Sequence, residues 1–102
     1  MNNLLNGNTL IFKVSEKGEI GKLNTNGNDI TNFVADMTDV RTEVIQLIKN
    51  KLITFGKSID PKQGSFVIVS KYQFDESLNI VPTIQEAFDY IEMEEIERQL
   101  DV

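Results

Sequence analysis

The chain has 102 residues, 40% hydrophobic and 25% charged, which is one domain's worth of sequence with the composition of a folded globule. It contains neither cysteine nor histidine. Disulfides, thiolate or imidazole metal sites, and serine–histidine or cysteine–histidine catalysis are therefore excluded.

No apolar run approaches the roughly 20 residues that span a bilayer, and the opening MNNLLNGN has neither the basic nor the apolar region of a signal peptide. A cytoplasmic protein is expected. The net charge of −6 is concentrated: residues 1–82 carry nine acids and nine bases, whereas residues 83–102 carry seven acids against Arg98 alone. Such a tail repels nucleic-acid phosphates and anionic lipid, so neither nucleic acid nor membrane is an expected partner.

In chain order, residues 1–8 are expected to be a flexible lead-in. Residues 9–14 (TLIFKV) are rich in β-formers, and after the turn-forming SEKG the segment 19–23 (EIGKL) offers Ile20 and Leu23, so the two read as a hairpin. The polar NTNGND at 24–29 reads as a turn before a third strand near residues 30–35. From Val40 to Phe55 apolar residues recur at i, i+3, i+4 and i+7, the stripe of a helix packed on a sheet. Thr38 or Asp39 can cap its start, and Gly56 marks its end. After the turn DPKQG, the nearly all-apolar SFVIVS at 65–70 has the pattern of a central strand buried on both faces, and LNIV at 78–81 of a shorter one.

Residues 83–86 (TIQE) have the form of a capping box, placing a helix start at Ile84. Ile84, Ala87, Phe88 and Ile91 form its core face. That face should continue at positions 94 and 95, yet both are glutamate, while Met93, Ile96 and Leu100 align on a stripe turned well away. Two readings fit. Either the helix kinks near Glu92 and the second stripe still covers the core, or it runs straight and exposes an apolar strip rimmed by acids.

Few residues suggest chemistry. The loop 22–33 has Asn24, Asn26 and Gly27 at calcium-loop offsets, but lysine and phenylalanine occupy its first and last ligand positions, so a turn is expected and no metal. The glycines match no phosphate-binding loop. Glu94/Glu95 and Asp36/Asp39 are read as solvated carboxylates, and no catalytic residue or cofactor is expected.

The stretch GSFVIVSKYQFDESLNIVPTIQEAFDYIEMEEIERQL at 64–100 resembles the C-terminal part of small bacterial STAS-like proteins, relatives of the anti-anti-sigma factors. In that family a strand leads through N-[IV]-[VL]-P-T-x-x-E-A to a final helix ending in a MEEIER-like string; Asn79, Pro82, Thr83, Glu86, Ala87 and Met93–Arg98 match. The segment FVADMTDV at 33–40 is similar to the strand and loop that precede the regulatory site of STAS domains. The family's phosphorylated D-S-S-G-L-like segment is replaced by Asp39-Val40-Arg41-Thr42, leaving Thr38 and Thr42 as substitute phosphorylation sites. Some small members of this group carry a ribonuclease Z label; that nuclease holds metal through histidines, which this chain lacks.

The resemblance implies an α/β, compact STAS-like sandwich: a mixed sheet of four or five strands with a central helix and a long C-terminal helix. It also implies a non-catalytic regulator acting through protein–protein interaction. The expected partner surface is Met93, Glu94, Glu95, Ile96, Glu97 and Leu100, joined to the start of the central helix at Thr38, Asp39 and Thr42. Carboxylates there would steer a basic partner and the apolar residues would hold it. An acidic inhibitor or immunity-type protein that plugs a basic enzyme is the alternative, and a small enzyme using carboxylates alone ranks last. The partner's identity stays open, a second copy of the chain included.

Overall fold

The computed structural model describes residues 3–21 and 29–100. Five strands form one mixed sheet, β1 (Asn3–Asn6), β2 (Thr9–Lys13), β3 (Asn32–Asp36), β4 (Phe66–Val69) and β5 (Ile80–Val81), with helices α1 (Thr42–Lys57) and α2 (Ile84–Leu100). The strands lie side by side in chain order; β1 is antiparallel to β2, and β2 to β5 run parallel. The chain adopts the expected α/β class, with a mixed sheet of five strands where four or five were expected, and the expected long last helix.

Alternation along the strands sorts side chains between two cores. Phe12, Ala35, Phe66, Ile68 and Ile80 point to one face and meet Ile45, Ile48 and Leu52 of α1. Ile11, Val34, Val67 and Val69 point to the other and meet Ala87 and Ile91 of α2. All four residues of β4 are buried, as its unbroken apolar run requires of a strand covered on both sides. Under α1, the Phe55 ring receives Phe12, Phe33 and Phe66 edge-on, with centroids 5.8, 5.2 and 4.9 Å away. Edge-to-face contacts of this kind set the ring quadrupoles favourably.

Three local expectations are corrected. The hairpin partner of β2 is β1, inside the segment expected to be flexible, and not the described residues 19–21. Asn6 pairs with Thr9, leaving the two-residue loop Gly7-Asn8 with Gly7 at φ 61°, a tight-hairpin geometry that glycine adopts without a Cβ clash. Downstream, among the described residues, the single bridge Val14–Ile20 forms, and Gly18 turns the chain at φ 82° and seats it against Val44 and Ile48 of α1. Leu23, residues 24–28 and most of the calcium-like loop lie outside the described residues.

The second correction concerns the start of α1. Its N-cap is Arg41 in extended geometry, without a side-chain cap, while Thr38 donates to Asp36 (2.8 Å) and Asp39 pairs with Lys13 (2.6 Å). Met37 and Val40 are both buried on the α1 side, so the chain must pass over the sheet before the helix can begin. Third, Gly56 lies within α1 and the cap is Ser58, whose hydroxyl donates to the Phe55 carbonyl at 2.6 Å. Glycine is used at 56 for proximity: a Cβ there would come within 3.1 Å of the Phe66 ring.

The capping box of α2 forms in modified shape. The Thr83 hydroxyl accepts from the Glu86 backbone N–H at 3.1 Å and donates to the Glu86 carboxylate at 2.9 Å. One orphan donor of the first turn is thereby satisfied. No helix among the described residues is long and apolar enough to cross a membrane.

At Gly64 the approach to β4 passes so close to β3 that a Cβ would fall 1.6 Å from the Thr31 carbonyl oxygen. Backbone cannot yield as a side chain can. Gly64→Ala is expected to lower stability by about 3 kcal/mol or more, measured by urea denaturation; an unchanged midpoint would show that the two segments can separate freely.

Candidate functional site

Helix α2 starts at the C-terminal edge of the sheet, after β5, and returns to the opposite edge. Its first half is held by apolar packing of Ala87 and Ile91, flanked by Ile84 and Phe88. Beyond Ile91 the inward positions are Glu94, Glu95 and Arg98, all half-buried. The helix continues unbroken to Leu100. A straight helix advances about 100° per residue, so Ile96, nine residues after Ala87, points away from the sheet.

The inward charges are anchored on two buried polar residues at the starts of the parallel strands. Asn32 is 0% and Ser65 3% exposed. The Asn32 amide donates to Glu95 (3.0 Å), and its carbonyl oxygen accepts from the Ser65 backbone N–H (2.9 Å) and from Arg98 (3.3 Å). Ser65 donates its hydroxyl to Glu94 (2.6 Å) and accepts from Arg98 (3.0 Å). Asn8, at the β1–β2 turn, also donates to Glu95 (3.0 Å). Thus one guanidinium and two carboxylates share two neutral hubs, so none is buried unpaired.

Tyr90 adds a phenol that donates to Glu94 at 3.2 Å. Burial, and then the negative charge of Glu94, push its pKa up to about 12. The folded state favours the neutral phenol, so its stabilising effect is present below the ordinary tyrosine pKa near 10 and is lost as pH rises through about 12.

The outward face is different in kind. Met93, Ile96 and Leu100 are 58%, 51% and 80% exposed. This is the second of the two readings open at the sequence level: the helix does not fold its late apolar residues onto the core. Val81, Tyr90, Met93 and Ile96 line a shallow groove of about 470 Å3 whose margin carries Glu86, Asp89 and Glu92. Of the six residues expected to form the partner surface, Met93, Ile96, Glu97 and Leu100 are exposed, whereas Glu94 and Glu95 turn inward.

Thr38, Asp39 and Thr42 are exposed at the start of α1, and the Thr42 hydroxyl donates to its neighbour Glu43 at 3.3 Å. Sequence reasoning missed Asn32, Ser65 and Asn8 altogether. Their partners lie 29 to 87 residues away along the chain, beyond any local pattern. The one available signal was the continuation of the Ala87–Ile91 face through charged positions, which demands polar partners on the sheet. Comparison of the chain with family models, with curated proteins and with solved structures finds no match.

The polar anchor and the outward stripe should respond differently to substitution. Asn32→Ala strands the Ser65 N–H and removes a donor to Glu95, and should cost about 2–3 kcal/mol in urea denaturation. Met93→Ser/Ile96→Ser/Leu100→Ser, on the exposed face, should change stability by about 1 kcal/mol or less; the reverse order would place the outward stripe in the core. In a Tyr72→Phe background, the phenolate absorbance of Tyr90 should rise with a midpoint near 12, and Glu94→Gln should lower that midpoint.

Proposed function

We propose that this chain is a non-catalytic, cytoplasmic regulatory protein that works by binding another protein, as its resemblance to small STAS-like proteins implies. The observation that carries the reading is the exposure of Met93, Ile96 and Leu100 on the face of α2 turned away from the sheet. Exposing three large apolar side chains on one helix face works against solubility unless a partner covers them. The surrounding Glu86, Asp89, Glu92 and Glu97 are exposed as well.

Charge selects among partners. Two copies meeting through this face would set acids against acids, whereas a basic partner gains attraction at the rim and apolar burial at the centre. The interface is therefore Met93, Ile96, Glu97 and Leu100 with the acidic margin of the groove, and Glu94 and Glu95 support it from behind. Thr38, Asp39 and Thr42 lie at the start of α1, which covers the other face of the sheet from α2, and so form a second surface separate from this one. Of the two threonines, Thr42 suits phosphorylation better: it is the first residue of α1, where open backbone N–H groups favour an anion, and it has one neighbouring acid, Glu43, where Thr38 has two, Asp36 and Asp39.

Capture from native cell extract by the immobilised wild-type chain and by the folded triple-serine variant tests this. The expected result is one basic protein retained by wild type, absent from the variant, and released by about 1 M salt, where the Debye length is about 3 Å. A regulatory protein in that position supports the STAS-like role, and a basic enzyme inhibited on binding supports the inhibitor reading. Identical capture by both chains removes α2 as the interface.

A further inference from the structure

On the α1 side of the sheet, well apart from the outward face of α2, a cleft of about 240 Å3 opens beneath the last turns of α1. Ile53, Ile59, Phe66 and Leu78 give it an apolar wall, Ser65, Ser77 and Asn79 add polar groups, and Glu94 enters it from the edge of the sheet. Each Glu94 oxygen accepts one hydrogen bond, from Ser65 and from Tyr90, which leaves acceptor capacity on both. Among the described residues no cation lies within ion-pair distance of this carboxylate; the ion pairs are Lys13–Asp39 and Lys49–Asp75. Arg98 reaches it only through the Ser65 hydroxyl. Lys57 also borders the cleft but is exposed, so water solvates its charge.

Glu94 is half-buried, has no ion-pair partner among the described residues and keeps acceptor capacity on both oxygens, so a bound cation would add a charge-assisted hydrogen bond there. An apolar cleft with a few convergent polar groups is also the usual form of a small-molecule site. We propose that the cleft binds a small molecule carrying a primary ammonium on an apolar body, the ammonium on Glu94 and the body against Ile53, Phe66 and Leu78. Glycine at 56 keeps this part of the wall low, since a side chain there would press on Phe66. The site lies apart from α2's outer face, while its Glu94 also belongs to the network that holds that helix.

The test uses the full chain, labelled with 15N and titrated with phenethylamine. Saturable shifts are expected at the amides of Gly56, Leu78 and Asn79, with N-acetylphenethylamine, which lacks the charge, giving none. Glu94→Gln should weaken phenethylamine binding roughly tenfold or more, the scale set by removing a charge-assisted hydrogen bond from a partly buried site. Absence of saturable shifts at these amides, equal shifts with the acetylated compound, or equal affinity in a folded Glu94→Gln variant would each overturn the proposal. The acetylated control requires no mutation, so the result stands even if Glu94→Gln does not fold.

Discussion

The structure depends on one topological constraint: its strands are laid down in chain order, each beside the last. Parallel neighbours need crossovers, and crossovers of one hand between successive strands all fall on the same side of the sheet. Here the β2–β3 connection seats Gly18 against α1, and the β4–β5 connection packs Phe74 and Leu78 into the same core. The other face would lie bare. The chain after β5 covers it: α2, at 17 residues and about 25 Å, is long enough to cross from one sheet edge to the other.

That duty divides the helix in two. Over the middle of the sheet it meets Val67 and Val69, and apolar packing suffices. At the far edge it meets strand beginnings, where Asn32 and Ser65 present polar groups; leucines at 94 and 95 would leave those groups unpaired at about 1–3 kcal/mol each. Glu94, Glu95 and Arg98 answer them instead. A hydrogen-bonded network of this kind fixes register more strictly than apolar contact does, because a helix rotated by one residue would satisfy none of its members.

Much of the fold was legible because its signals were local. The all-apolar run of β4, the 3.6-residue stripe of α1 and the Thr83–Glu86 cap each reflect a requirement met within a few residues. The misread hairpin had a signal too: Asn6-Gly7 precedes TLIFKV, but NLLN offers only two apolar residues, and Leu4 and Leu5 remain exposed at the sheet edge. The pull of SEKG toward a downstream turn outweighed it. The polar anchor was hidden for a different reason: Glu94 and Glu95 look like solvent residues until Asn32 and Ser65, brought to them by the sheet, supply partners.

The inward network and the outward strip are consequences of each other. Once Asn32 and Ser65 require charged residues at 94, 95 and 98, helical geometry leaves 93, 96 and 100 on the opposite side, and apolar residues placed there cannot reach the core. Their exposure is therefore not slack in the packing but a result of how α2 is pinned. It also follows that the acidic tail is less uniform than its composition suggests: two of its carboxylates are committed to the sheet, one of them bordering the cleft under α1, while Glu86, Asp89, Glu92 and Glu97 stay outside along the strip. Loosening Asn32 would disturb the outer surface without touching any residue on it, since the bonds behind Met93, Ile96 and Leu100 hold the second half of α2 in the orientation that the Ala87 and Ile91 packing sets in the first.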